Sequence, residues 1–153
     1  MVSTDFNYGS WTYTNTAEAT TSGVELYGTW RVVEGLTASL AYTYTEAEDG
    51  DGVALRRRPK DRVSMDLNAQ PFKSLNVRLG VVSVGDRSDY DFNTAQLVEL
   101  DGYLLVNLAA RYAATDDMTL FGRVEILLDE QYQEVFGYGT AGLSGYTGME
   151  YTF

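Results

Sequence analysis

The feature that most constrains the fold of this sequence is a strict alternation of apolar and polar side chains. In Leu36–Thr45 the even positions are apolar or aromatic, and the odd positions are small and mostly hydroxylated. A β-strand points successive side chains to opposite faces, so this segment predicts a strand with one apolar and one polar face. Six further segments carry similar alternation: Val24–Val32, Val63–Ala69, Leu75–Val82, Leu104–Tyr112, Thr119–Leu128 and Leu143–Phe153.

The N-terminal segment Phe6–Asn15 changes phase part-way. Phe6 and Tyr8 share one parity, whereas Trp11 and Tyr13 share the other. One inserted residue reverses the phase of a strand, so a bulge or bend near residues 9–10 is predicted. With this segment the sequence predicts about eight strands, the even count expected of small bacterial barrels.

The connections between the predicted strands alternate in length. Short connections fall at residues 33–35, 71–74 and 114–117, and long, charged ones at 16–22, 46–61, 86–101 and 129–142. Outer-membrane barrels have short turns on one rim and long loops on the other. A soluble up-and-down barrel is compatible with the same rhythm. The predicted fold is all-β, an antiparallel up-and-down transmembrane β-barrel formed by residues 1–153 as a single domain.

Composition excludes several classes of function. The chain has 22 acidic and 11 basic residues, a net charge of −11, and neither cysteine nor histidine. Phosphates would be repelled, so we predict no nucleic-acid partner. Without histidine or thiolate, transition-metal sites and hydrolytic triads are unexpected, so we predict no enzyme, no metal and no cofactor. The first five residues lack a basic segment followed by an apolar one, so no secretory signal is predicted.

Soluble and membrane β-barrels place the apolar face of such strands on opposite sides of the barrel wall. A soluble barrel buries its apolar face, whereas a membrane barrel turns that face to lipid. The polar phase is rich in Thr, Ser and Asn, and the two lysines, Lys60 and Lys73, lie in connections, which favours the membrane. The charged polar-phase residues predict a lumen network: Glu25, Arg31, Asp66, Arg78, Arg111, Arg123, Glu125 and Glu150. The aromatic residues near the strand ends predict lipid-interface anchors: Trp30, Tyr42, Tyr44, Tyr112, Tyr151 and Phe153.

Two sets of residues resemble known families. Tyr146, Gly148, Tyr151 and Phe153 are similar to the terminal assembly signal of outer-membrane proteins, which implies the barrel-assembly machinery as a partner if the chain is exported. The chain also resembles the C-terminal barrel of TonB-dependent receptors of the cobalamin and siderophore type. The stretches that carry this resemblance are Tyr13–Asn15, Gly23–Leu26, Glu34–Leu36, Tyr42–Thr45, Leu55–Pro59, Gly85–Tyr90, Gly122–Glu125, Leu128–Tyr138 and Thr140–Gly142.

The resemblance implies about 22 strands around a plug, and the sequence contains neither that plug nor a TonB box. Ile126 and Leu143 replace the family's usual Asn and Arg on the phase assigned to lipid, which fits either an engineered small barrel or divergence. We expect an outer-membrane, monomeric, self-closed scaffold in lipid or detergent without active transport of its own. The alternatives are a fragment of a larger cobalamin or siderophore transporter and a soluble ligand-binding barrel.

Two loop clusters are weighed against simpler interpretations. The four carboxylates of Glu46–Gly52 suggest a calcium loop, but they lack EF-hand spacing, so a solvated loop tip is favoured. Arg56–Arg58 could bind lipopolysaccharide phosphates, but pairing with the adjacent acidic loop is favoured. Asp86–Asp91 is predicted to be loop. Glu25, Glu125 and Glu150 could be catalytic carboxylates only in an enzyme that the composition does not support.

Overall fold

A computed structural model describes residues 18–153 in full and residues 2–7 and 10–15 as backbone. The described residues form eleven strands and no helix long and apolar enough to cross a membrane. The strands are β1 Val2–Asn7, β2 Ser10–Asn15, β3 Ala19–Val33, β4 Leu36–Asp49, β5 Asp61–Phe72, β6 Leu75–Val84, β7 Arg87–Asp91, β8 Gln96–Leu100, β9 Tyr103–Ala113, β10 Met118–Glu125 and β11 Ser144–Tyr151.

Seven strands form one antiparallel sheet in the order β11-β10-β9-β6-β5-β4-β3. Two hairpins, β1–β2 and β7–β8, form separate two-stranded sheets, and the second lies in the long connection between β6 and β9. The turns after β3, β5 and β9 are short, and the connections after β4, β6 and β10 are long. Because neighbouring strands are antiparallel, all short turns lie on one rim and all long connections on the other, as predicted.

The sequence predictions for the seven strands of the large sheet are confirmed, with boundaries that differ by a few residues. The prediction of one strand over Phe6–Asn15 was wrong, because β1 and β2 pair as a hairpin with Asn7 opposite Ser10. The predicted bend at residue 9 and the side-chain phase of this segment lie outside the described residues. The loop prediction for Asp86–Asp91 was also wrong for all but Asp86, because Arg87–Asp91 forms β7.

The register confirms that the strands present two faces. Asp66, Gly80 and Asn107 are aligned across β5, β6 and β9, and so are Met65 and Val81 on the opposite face. The β3 and β11 edges have no further strand paired with them among the described residues, so closure of the sheet is not shown.

Within residues 18–153 no second layer covers the large sheet, and the buried side chains lie elsewhere. Large apolar side chains such as Leu26 and Met149 remain 61% and 71% exposed. The buried residues within 18–153 lie at or beyond the strand ends of the long-loop rim: Ala47, Val84, Arg87, Asp89, Leu100, Tyr103 and Ile126. The described chain therefore has a small core under its long connections and a sheet with two open faces.

Two interpretations of side-chain position need correction. Ile126 was assigned to the lipid face, but β10 ends at Glu125, and Ile126 is a buried turn residue with φ of 54°. Its N–H donates to Asn107 Oδ1 at 2.9 Å. Leu143 was assigned to the same face but precedes β11, where its N–H donates to Asp129 Oδ1 at 3.0 Å. Neither replacement is therefore part of a strand surface.

Candidate functional site: the polar face of the sheet

The polar face carries most of the charged side chains that the sequence predicts as a lumen network. Asp66 and Arg78 lie on neighbouring strands, and Arg78 Nη2 is 2.6 Å from Asp66 Oδ1. Arg111 Nη2 on β9 reaches across β10 to Glu150 Oε2 on β11 at 2.8 Å. Arg123 Nε lies 3.3 Å from Glu125 Oε1. Six of the eight predicted residues thus form three pairs.

The remaining two residues of that set, Glu25 and Arg31, lie on β3 at the edge of the sheet. Within residues 18–153 neither takes part in an ion pair. All three pairs have a side chain that is more than half exposed. Pairs this exposed contribute at most about 1 kcal/mol each to stability, so they mark a wetted face rather than a source of stability.

A shallow groove of about 310 Å³ runs along the polar face across β5, β6, β9 and β10. Its polar walls include the Asp66–Arg78 pair and the Arg123–Glu125 pair. Gly80 leaves the floor low beside Asp66, because it adds no side chain between the two walls. The groove offers paired charges of both signs and no unpaired carboxylate dyad, which suits polar contact rather than acid–base chemistry.

The predicted assembly-signal strand is held against β10 by contacts on the same face. The Arg123 guanidinium lies over the Tyr146 ring at 4.4 Å, and Arg111 lies over the Phe121 ring at 5.8 Å. The Phe121 ring covers Gly148 so closely that a Cβ there would lie 2.5 Å from it. Tyr146 therefore lies on the polar face, opposite in parity to Tyr151, and the sequence analysis did not anticipate the part played by Phe121.

The predicted interface aromatics fall near both rims. Tyr42 donates to Asp61 Oδ1 at 2.7 Å, and Tyr44 donates to Glu46 Oε1 at 2.6 Å, so both hydroxyls engage carboxylates toward the long-loop rim. Trp30, Tyr112 and Tyr151 lie near the short-turn rim and are about half exposed. Phe153 follows β11, is fully exposed, and stacks on Tyr151 with ring centroids 6.5 Å apart. Their placement at a lipid interface stays a prediction.

Of the two loop clusters, the acidic segment Glu46–Gly52 and the arginines Arg56–Arg58, the arginines have partners other than those predicted. Asp49 Oδ1 accepts the N–H groups of Asp51 and Val53 at 3.0 and 2.9 Å, so the acidic segment contains a tight turn that satisfies this carboxylate locally. In the part of the chain that the structure describes, the arginines beside it do not pair with that segment. Arg57 pairs with Asp89 of β7 at 2.8 Å, and Arg56 lies over the Tyr90 ring at 5.2 Å.

The comparisons with known proteins give the family. A model of the "TonB dependent receptor-like, beta-barrel" family matches residues 1–125. The chain belongs to this family. The vitamin B12 transporter BtuB of Vibrio cholerae serotype O1 is 31% identical over 97% of the chain. The chain spans about a quarter, 24%, of the length of that relative.

Solved receptor structures share the fold. The pyoverdine outer membrane receptor FpvA of Pseudomonas aeruginosa PAO1 superposes with a TM-score of 0.78 at 20% identity, covering 100% of this chain and 25% of the receptor. The ferric-catecholate import receptor Fiu of E. coli K12 superposes with a TM-score of 0.76 at 15% identity, covering 99% of this chain and 23% of Fiu. The chain is thus similar over its full length to a sector of larger TonB-dependent receptors, and these relatives are named as transporters and receptors rather than enzymes.

Proposed function

We propose that the chain is a membrane-spanning wall sector of an outer-membrane receptor barrel of the TonB-dependent family. Its polar face lines the lumen and its apolar face meets lipid. Its role is that of a scaffold, and it performs neither catalysis nor active transport by itself. The observation that carries the proposal is the two-faced sheet, which has paired charges on one side and exposed apolar side chains on the other.

The exposed apolar face supports lipid as the surrounding medium. In a soluble barrel this face would be the packed interior, yet Val24, Leu26 and Trp30 on β3 are each more than half exposed. Contiguous exposed apolar surface on this scale marks a contact with lipid or with another protein layer. No such layer is present in residues 18–153, so lipid is the medium that the surface suits best.

The two sheet edges support a larger barrel over a self-closed one. Lipid does not tolerate unpaired backbone N–H and C=O groups, so both edges must pair when the sheet is in a bilayer. A self-closed barrel would need a ladder between Phe6–Asn15 and Leu143–Phe153, but among the described residues Ser10–Asn15 pairs with Val2–Asn7 and not with β11. Superposition of the whole chain on about a quarter of a receptor also favours pairing with further strands.

Folding in detergent against plain buffer tests the membrane assignment. We expect sheet-type circular dichroism and heat-modifiable migration on a cold SDS gel only when detergent or lipid is present. Clean folding in buffer would overturn the proposal, because it would mean that the apolar face packs inside. The size of the folded species then tests how the β3 and β11 edges are paired. Pairing between chains gives oligomers, whereas a monomer with protected β3 and β11 amides would establish the self-closed barrel.

The terminal strand supports the barrel-assembly machinery as a second partner. Phe153 is fully exposed and its ring stacks beside Tyr151, so it is accessible to a receptor protein. We expect Phe153→Ala to slow assembly into proteoliposomes that contain the machinery and to leave spontaneous folding in detergent unchanged. Tyr138→Ala is the control, because Tyr138 is also an exposed aromatic residue, 73% exposed, and lies in a loop. Equal slowing by both variants would contradict this role for Phe153.

A further inference from the structure

Three separate stretches of the sequence meet at the side chain of Asp89. Asp89 lies on β7 and has no exposed surface. One carboxylate oxygen accepts from Arg57 Nε at 2.8 Å, and the other accepts from the Phe136 N–H at 2.8 Å. These two donors come from the connection after β4 and from the connection after β10. A single buried carboxylate therefore joins all three long connections of the described chain.

The backbone around Arg57 shows that this meeting point constrains its neighbours. Arg57 has φ of 60°, a left-handed conformation that costs a non-glycine residue about 1 kcal/mol or more. Its N–H donates to the Ser88 carbonyl at 2.8 Å, next to Asp89. The connection after β4 is thus bound to β7 by both a backbone and a side-chain hydrogen bond. Strain of this kind persists only where surrounding contacts over-determine the conformation.

A second set of contacts ties β7 to the last connection independently of Asp89. Buried Arg87 donates from Nη2 to the Gln133 carbonyl and lies over the Tyr103 ring at 5.2 Å. Tyr103 contacts the Tyr132 ring at 4.2 Å between centroids, and its hydroxyl donates to Glu134 Oε1 at 3.3 Å. The segment 132–136 is therefore held from two sides, by Asp89 and by the pair of Arg87 and Tyr103.

This cluster is the part of the described chain that packs as a protein core does. The large sheet leaves both faces open, whereas the buried residues collect beneath the long connections. The order of this region therefore depends on its own contacts and not on lipid. An inference about this region therefore does not depend on the membrane role proposed above.

We propose that Asp89 is the positioning residue of a latch that makes the three long connections one body. We define the latch by segments 54–60, 86–100 and 130–138. In this arrangement removal of the Asp89 carboxylate takes a hydrogen bond from each of the three segments at once. The latch also fixes the groove of about 580 Å³ between residues 54–61 and the β7–β8 hairpin, whose lining includes Arg58, Lys60 and Arg87. A ligand reaching this rim would meet a preformed surface rather than three independent loops.

Hydrogen exchange of the full chain measured by mass spectrometry tests the latch. It is to be done in whichever medium, micelles or buffer, gives the folded chain, so a failure of the membrane proposal does not affect it. The variant is Asp89→Asn, which keeps the size of the side chain and removes its charge. Hydrogen bonds to charged groups are among the stronger ones, so we expect protection to fall about tenfold or more in all three segments together. Protection in β4, β5 and β6 should stay unchanged.

Asp91→Asn is the matched control, because it makes the same change two residues away. Asp91 accepts from the Asn93 N–H and the Thr94 hydroxyl within its own hairpin turn. It should change exchange only at 91–96. If Asp89→Asn lowers protection in 86–100 alone, the latch is overturned. If Asp89→Asn does not fold, Arg57→Gln removes one arm of the latch, and unchanged protection at 130–138 in that variant would overturn it equally.

Discussion

At the scale of single residues, the contact between Phe121 and Gly148 explains why a glycine stands in the middle of β11. Glycine inside a strand costs about 0.5–1 kcal/mol relative to alanine, so its presence needs a compensating contact. The Phe121 ring lies over this position, where an added Cβ would lie 2.5 Å from the ring. The ring also lies under the Arg111 guanidinium, which pairs with Glu150 of the same terminal strand.

A double-mutant cycle tests this contact. We expect Gly148→Ala to lower the free energy of unfolding by about 1 kcal/mol, because the ring must leave both Gly148 and Arg111. In a Phe121→Ala background the same change should be neutral or stabilising, since only the strand preference for alanine remains. Urea unfolding of the folded chain, followed by tryptophan fluorescence, measures all four variants. Additive effects of the two substitutions would contradict the contact.

Ile126 is a residue in an unfavourable conformation. A β-branched side chain is rarely found at positive φ, yet Ile126 has φ of 54° and is buried. The turn is fixed from outside, because the Ile126 N–H donates to Asn107 and the Ile126 carbonyl accepts from the Asp129 N–H at 2.8 Å. The hydrogen bonds and the burial offset a backbone cost of about 1–2 kcal/mol.

Two substitutions at this position separate the backbone cost from the side-chain contribution. Ile126→Ala and Ile126→Gly both remove the buried side chain, but only glycine adopts positive φ freely. We therefore expect the glycine variant to be more stable than the alanine variant by about 1 kcal/mol, the reverse of the usual order. The urea concentrations at the midpoints of unfolding measure this difference, provided that the two variants have the same dependence of the free energy of unfolding on urea concentration. An alanine variant as stable as the glycine variant would show that the turn is not held at positive φ.

At the scale of elements, alternation predicts strands where one face differs chemically from the other. β4, β5, β6 and β9 are each ten or more residues long, and the sequence predicted all four from alternation within them. β7 and β8 are five residues each, and β7 carries buried charges at Arg87 and Asp89. Their pattern of charge looks like a solvated loop, because the partners that satisfy those charges come from distant stretches of the chain. No local signal could have placed Gln133 and Phe136 beside them.

The same limit applies to the polar face. The phase of the strands predicted which charged residues share a face, and in the register Asp66 lies opposite Gly80 and Arg111 opposite Asn76. The specific pairs depend on strand order, because Arg111 and Glu150 lie on β9 and β11 with β10 between them. Contacts between aromatic and glycine residues, as at Phe121 and Gly148, depend on rotamers as well. These details therefore required the structure.

The latch segments should respond to acid as one element. Burial opposes ionisation of Asp89, but the Phe136 N–H, Arg57 and the Tyr90 N–H outweigh it and hold the pKa of Asp89 below its usual value of 3.8. A carboxyl with a lowered pKa contributes stability that is complete above its unfolded pKa and is lost as the pH falls through its folded pKa. We expect the near-UV circular dichroism of the Tyr103–Tyr132 pair to persist above pH 3.8 and to be lost below it.

Two variants identify the group responsible for this acid transition. Asp89→Asn should show a weakened tyrosine signal already at neutral pH, with little further change on acidification. Asp91→Asn should behave as the unsubstituted chain, although the pKa of Asp91 is also lowered, by hydrogen bonds from Thr94 and Asn93. Its contacts are confined to one turn, so its titration cannot reach Tyr103. An unchanged acid transition in Asp89→Asn would assign the transition to another group.

At the scale of the whole molecule, the described chain has two parts, the latch and the large sheet, which are stabilised in different ways. The latch end buries charges and aromatic rings among protein groups. The described sheet has few fully buried side chains, and most residues of its central strands are half-buried or exposed, so its order depends on backbone ladders and on the medium that covers its faces and edges. Sheets of this kind are stable in a bilayer because every backbone group that meets lipid is paired within the barrel. The orientation of the faces is therefore the property of the whole molecule on which its role depends.

The tryptophan of β3 reports that orientation directly. Trp30 lies on the apolar face near the short-turn rim and is 53% exposed, whereas Tyr27 lies on the polar face and is 77% exposed. Strands rise about 3.3 Å per residue, which places Trp30 roughly 10 Å from the end of β3. In a Trp11→Phe chain folded in vesicles, we expect lipids brominated at a shallow acyl position to quench Trp30. Aqueous iodide should have little effect on it.

The matched control moves the reporter to the other face of the same strand. The variant combines Trp11→Phe, Trp30→Phe and Tyr27→Trp, and a lumen-facing indole at residue 27 should be quenched by iodide and not by brominated lipid. Strong iodide quenching of Trp30 together with lipid quenching at residue 27 would mean that the faces are inverted. Equal lipid quenching at both positions would mean that the sheet lies flat on the bilayer instead of spanning it. The expected pattern requires a spanning sheet whose polar face is turned to water, which is what the wall of a receptor barrel needs.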